Sequence, residues 1–99
     1  MSDKTITVVA TFHARPGKET QLRAALIGLL APTRQEPGCL NYDLHQSPED
    51  AAKFLFHENW TTKAALDTHL QSAHVKALLP LVDELCAAFP EIKIWERIG

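Results

Sequence analysis

Ninety-nine residues with 45% hydrophobic and 22% charged side chains make a chain long enough for one hydrophobic core and too apolar to stay disordered. A formal net charge of −2, with ten basic residues scattered along the chain, gives no electrostatic footprint for nucleic acid or an anionic membrane surface. No apolar run approaches the ~18 residues of a membrane span, and Met1-Ser2-Asp3-Lys4 leads into a strand pattern without a signal-peptide core, so a single cytoplasmic domain over residues 1–99 is expected.

Residues 5–13 alternate, placing Ile6, Val8, Ala10 and Phe12 on one face of a first strand. Pro16-Gly17-Lys18-Glu19 then opens a helix, with the proline near its first turn, and Leu22, Ala25, Leu26, Leu29 and Leu30 form the apolar stripe. Pro32 withholds a bond from the Gly28 carbonyl, which predicts a kink or an early end there, and Glu36-Pro37-Gly38 closes the element. Residues 39–46 read as a second strand, Ser47-Pro48-Glu49-Asp50 as a turn and residues 53–60 as a third strand. Pairing the apolar faces sets Tyr42 opposite Glu58, Leu40 opposite Trp60 and Leu44 opposite Phe56.

Thr61 or Thr62 caps a short helix carrying Leu66, His69 and Leu70. Ser72 caps a second one with Val75, Leu78, Leu79, Val82, Leu85, Cys86 and Phe89 on its inner stripe, and Pro80 is a candidate start for a further turn. On one unbroken helix, residues five apart lie ~140° from each other. His69 and His74 therefore face one cavity only if the helix breaks near Gln71-Ser72. Residues 91–98 form a fourth strand, with Ile92, Ile94 and Ile98 on one face and Trp95 on the other. The order β-α-β-β-α-β is a ferredoxin-like α+β fold, an antiparallel sheet with helices on one side. Its other face, with Val9, Leu55 and Trp95, is too apolar to leave to water, which predicts a homodimer packed sheet against sheet.

Chemistry concentrates where the third strand ends in Glu58-Asn59-Trp60 and the helices bring His69 and His74. Glu58, between Phe56 and Trp60 on the core-facing side, is expected to have its pKa raised by desolvation, and is placed either to orient His69 or to accept a bond from Tyr42. His69 is the candidate general base, since imidazole titrates near neutrality. Trp60, Tyr42, Phe56 and Leu66 are candidate walls of a substrate pocket, with His74 either meeting a substrate oxygen or facing solvent. The bland reading of the same residues is a satisfied core and a structural acid. His13, His45 and His57 have no metal-ligand spacing, Asp43 is placed to face His57, and Cys39 and Cys86 read as small buried hydrophobes, with a reactive thiol at Cys39 the alternative; no metal site is expected from these residues.

The chain resembles the antibiotic biosynthesis monooxygenase domain family, whose fold is a dimeric α+β barrel. The resemblance rests on Arg15-Pro16-Gly17, on Glu36-Pro37-Gly38-Cys39-Leu40 with Tyr42, and on Glu58-Asn59-Trp60 with Ala65, Leu66, His69, His74 and Lys76. The branch it most resembles, the quinol monooxygenase-like proteins, implies oxidation of a small aromatic by dioxygen without flavin, haem or metal. Relatives that degrade haem carry an Asn, a Trp and a His ligand where Ala10, His69 and Leu79 stand, which argues against that chemistry here. The fold also hosts other activities, so an isomerase acting on a small carbonyl or sugar-like phosphate, and a non-catalytic binder of aromatic or quinone metabolites, remain alternatives.

Overall fold

A computed structural model describes residues 5–99; the Met1-Ser2-Asp3-Lys4 start lies outside the described residues. Strands β1 (Ile6–His13), β2 (Cys39–Gln46), β3 (Lys53–Trp60) and β4 (Glu91–Glu96) form an antiparallel sheet in the order β2-β3-β1-β4. Helices α1 (Glu19–Ile27) and α2 (Leu30–Arg34) connect β1 to β2, and α3 (Lys63–Leu70) and α4 (Ala73–Leu85) connect β3 to β4. This is the ferredoxin-like arrangement. Val8, Ala10 and Phe12 of β1, and Phe54, Phe56 and Trp60 of β3, form one core with Leu22, Leu26, Leu66, Leu78, Val82 and Leu85 from the helices. No helix among the described residues is long and apolar enough to cross a membrane.

The hairpin register places Tyr42 opposite Glu58, Leu44 opposite Phe56 and Asp43 opposite His57, as the alternation requires. At its end the ladder shifts. Cys39 rather than Leu40 stands opposite Trp60, because a register irregularity between Cys39 and Asn41 takes Leu40 out of the pairing and leaves it 57% exposed.

Prolines act differently from their simplest reading. Pro16 and Gly17 form a turn ahead of α1, which begins only at Glu19. The missing N–H of Pro32 interrupts the helix one turn earlier, at Gly28 and Leu29, after which α2 runs past the proline to Arg34. Pro80 lies inside α4 and starts no new turn. The inner stripe of α4 is also narrower than its sequence implies, since Leu79 and Phe89 are exposed. On β4, which ends at Glu96 with Ile98 beyond it, Ile94 and Ile92 pair with core residues Val8 and Ala10 yet remain half exposed.

Gly38 joins the two halves of the site. Its φ of +88° belongs to the left-handed region, its carbonyl accepts from the Thr61 N–H at 2.9 Å, and a Cβ there would stand 2.6 Å from Ala65 Cβ. Gly38→Ala is expected to destabilise the fold by about 3 kcal/mol in urea titration, combining left-handed strain with overpacking. Gly17→Ala, with the same backbone sign but open space around it, should show only the strain, about 1 kcal/mol.

Candidate active site

Alternation along β3 puts Phe56, Glu58 and Trp60 on the face covered by the helices, and burial leaves Glu58 only 4% exposed. Its Oε1 accepts a hydrogen bond from Trp60 Nε1 at 2.9 Å. That bond corrects the sequence expectation: Glu58 is tied to the indole two residues along its own strand, and not to His69 or Tyr42. Desolvation pushes its pKa up from the usual 4.5 to about 7, opposed by the indole bond and reinforced by the charge of Glu36. Tyr42 stacks on Phe56 with ring centroids 4.5 Å apart, and burial together with the Glu58 charge pushes its hydroxyl well above the usual phenol range.

Thr62 caps α3 by accepting from the Ala65 N–H at 3.1 Å, and Ser72 caps α4 by accepting from the Val75 N–H at 3.3 Å. The chain thus breaks between Leu70 and Ala73, as the requirement on the two histidines demanded. His69, 3% exposed in the last turn of α3, lies against Trp60 with centroids 4.7 Å apart and meets Tyr42 edge-on. Both histidines converge on Glu36, which the sequence reading used to end a helix and to carry the family resemblance but did not place in the site. Glu36 Oε2 lies 2.9 Å from His69 Nδ1 and 2.6 Å from His74 Nε2. His74 therefore faces this carboxylate. Burial lowers the pKa of His69, with Glu36 opposing that shift.

The signal for Glu36 was present as an acid directly before Pro37-Gly38, the turn that Gly38 presses against Ala65 and Thr61 of the α3 entry. Its backbone is held there by Glu36 N–H to the Thr33 carbonyl at 3.0 Å and by the Cys39 N–H to its own carbonyl at 3.2 Å. Nothing local in the sequence says that its side chain turns inward.

A cavity of about 80 Å³ lies between sheet and helices, walled by Tyr42, Phe56, Glu58, Leu66 and His69 with Val8, Ala10 and Leu78, and rimmed by Leu79, Phe89 and Ile92. Trp60 and His74 stand behind this wall, holding Glu58 and Glu36, and do not line the space. A larger groove of about 830 Å³ runs along Thr11, His13, His45, Lys53 and Leu55, and it contains none of the buried titratable groups, which line or adjoin the smaller space. Its volume is about half the ~150 Å³ that accommodates benzene in a protein interior. An aromatic substrate enters only if the exposed rim side chains move outward.

Glu36, His69 and His74 also form the cluster of metal-donor types among the described residues, their donor atoms within 4.8 Å of one another. The imidazole nitrogens stand 2.6 and 2.9 Å from the one carboxylate oxygen, within hydrogen-bond distance.

With this geometry established, comparison with known proteins decides the lineage. Residues 5–80 match the family described as antibiotic biosynthesis monooxygenase. The chain belongs to that family. It is 39% identical over 80 residues to the Mycobacterium tuberculosis protein Rv0793, whose name places it provisionally among monooxygenases, covering 81% of this chain and 78% of that one. A Synechocystis protein, sll1783, is 32% identical over 95 residues; they are 96% of this chain, which spans only 65% of that protein's length. Among solved structures, PA3566 from Pseudomonas aeruginosa superposes with a TM-score of 0.94 at 33% identity, covering 100% and 99% of the two chains. Family and fold thus support a monooxygenase-type function acting on a small molecule.

The raised pKa of Glu58 has a thermodynamic consequence. Between about 4.5 and about 7 the folded chain holds a proton that the unfolded chain has released, so this residue's contribution to stability is full at the acidic end and declines as pH rises through the window. Glu58→Gln is expected to match wild type in urea titration near pH 4. At pH 8 it should be the more stable protein, by on the order of 3 kcal/mol.

Proposed function

We propose that the protein is a cofactor-independent monooxygenase that oxidises a quinol or related polyphenol with dioxygen, using His69 as general base. The observation that carries this reading is a buried imidazole in the wall of an apolar cavity, with its Nδ1 already engaged by Glu36. A deprotonated quinol passes an electron to dioxygen far more readily than the neutral form does, so one well-placed base in a dry site supplies the activation.

In this scheme His69 Nε2 takes the hydroxyl proton, the quinolate and dioxygen exchange an electron, and the radical pair combines at a ring carbon. The resulting peroxide takes back the proton held by His69, and its O–O bond then breaks as the hydrogen on the oxygenated ring carbon leaves as a proton, so the outer oxygen departs as water and the carbon becomes a carbonyl. Quinol and dioxygen together yield a hydroxylated quinone and one water, which balances atoms and electrons. In this reading Glu58, which lines the cavity and whose pKa is raised to about 7, donates to a second oxygen of the ring. Tyr42, Phe56 and Leu66 supply the flat apolar walls. No Lys or Arg lines the cavity, which disfavours the phosphorylated substrate that an isomerase of this fold would take.

With reduced naphthoquinone and metal-stripped protein, oxygen uptake above autoxidation should fall 10²- to 10⁴-fold in His69→Ala. Equal rates for the two proteins would leave a binder of aromatic metabolites as the better reading.

The assembly that goes with this reading is a homodimer through the outer face of the sheet. Trp95 and Leu40 flank a shallow hollow there with Thr7, His57 and Asn59, and both are more than half exposed. Light scattering should give twice the 11.0 kDa chain mass, and Trp95→Glu should shift the protein toward monomer.

A further inference from the structure

We infer that Glu36 and His74 are positioning residues for His69, forming a His74-Glu36-His69 chain that fixes which nitrogen of the buried imidazole faces the cavity. The inference rests on the reading of His69 as the base and assigns work to two residues outside the cavity wall.

An ionised carboxylate only accepts hydrogen bonds. Two nitrogens at 2.9 and 2.6 Å from the same oxygen must therefore both carry hydrogen: Nδ1 of His69 and Nε2 of His74. A neutral His69 with its hydrogen on Nδ1 has a bare lone pair on Nε2, the form a base requires. If the Glu36 contact were absent, nothing else recorded for the ring would choose between tautomers, since its remaining described neighbours are the faces and edges of Trp60, Tyr42 and His74. When Nε2 gains a proton, the imidazolium forms beside a carboxylate whose side chain is only 12% exposed, so the developing charge is met without rearrangement.

His74 supplies the second constraint. Among the described residues, the cationic or potentially cationic groups within ion-pair distance of Glu36 are these two imidazoles, with no Lys or Arg. The 2.6 Å contact is short and charge-assisted in character, and it joins α4 to the turn before β2. It holds the carboxylate against rotation away from His69. The side chain of His74 is 22% exposed, so the outer end of the chain meets solvent while the inner end does not. The charged or titratable groups facing His69 are thus Glu36 from the turn before β2, His74 from α4, and Tyr42 and Glu58 from the sheet.

Two readouts test the assignment independently of each other. Nitrogen-15 NMR of the imidazoles should show His69 protonated on Nδ1 in wild type and in His74→Gln, whose amide still donates to Glu36. In Glu36→Ala that preference should vanish. Quinol oxidation should fall 10- to 100-fold in kcat for Glu36→Ala, with KM little changed. His74→Ala should lose several-fold and His74→Gln should recover most of it, with thermal melts confirming that each variant is folded. Glu36→Ala with wild-type tautomer preference and wild-type kcat would overturn the inference while leaving His69 as base. Inactive wild-type protein would instead refute the oxygenase reading, and the NMR result would then judge the positioning role alone.

Discussion

A single carboxylate oxygen, Glu36 Oε2, accepts from two imidazoles that arrive on different helices, and the arrangement of the site follows from that shared contact. A buried acid without cationic partners is costly unless donors satisfy it, so the two rings are held to it by the penalty for leaving it bare. The contact needs the break between α3 and α4, because only a changed helix direction brings residues five apart to one point. It also needs Gly38, whose left-handed backbone presses the Glu36 turn onto the α3 entry at a spacing that admits no side chain.

The buried acid of β3 is handled differently. Glu58 has one bond, from Trp60 Nε1, and otherwise faces an apolar cavity, so it holds its proton to about pH 7. Glu36 differs in having two partners, the ring nitrogens of His69 and His74, on one carboxylate oxygen. Trp60 serves both halves: its N–H restrains Glu58 while its ring lies against His69.

The cavity is small and its rim is exposed. Tyr42, Phe56 and Leu66 are fixed in the core, whereas Leu79, Phe89 and Ile92 lie at its exposed margin. The same exposed surface on β4 marks where the helices stop covering the sheet.

Much of the fold is legible in the sequence because it depends on local periodicity. Alternation in residues 53–60 placed Glu58 and Trp60 in the core, and the caps Thr62 and Ser72 marked the helix break that brings the histidines together. What the sequence could not specify is which side chains meet across long separations. Glu36 lies 33 residues from His69 and 38 from His74, and no local pattern distinguishes an acid that turns inward from one that ends a helix in solvent. Leu40 failed for a related reason: one irregularity in register moves a residue out of the ladder without changing the alternation around it. Residue types and local spacing by themselves determined the elements, their order and the burial of Glu58. Tertiary structure decided the partners, because a hydrogen bond between distant residues depends on how elements dock, and docking is fixed by the packing of the whole core.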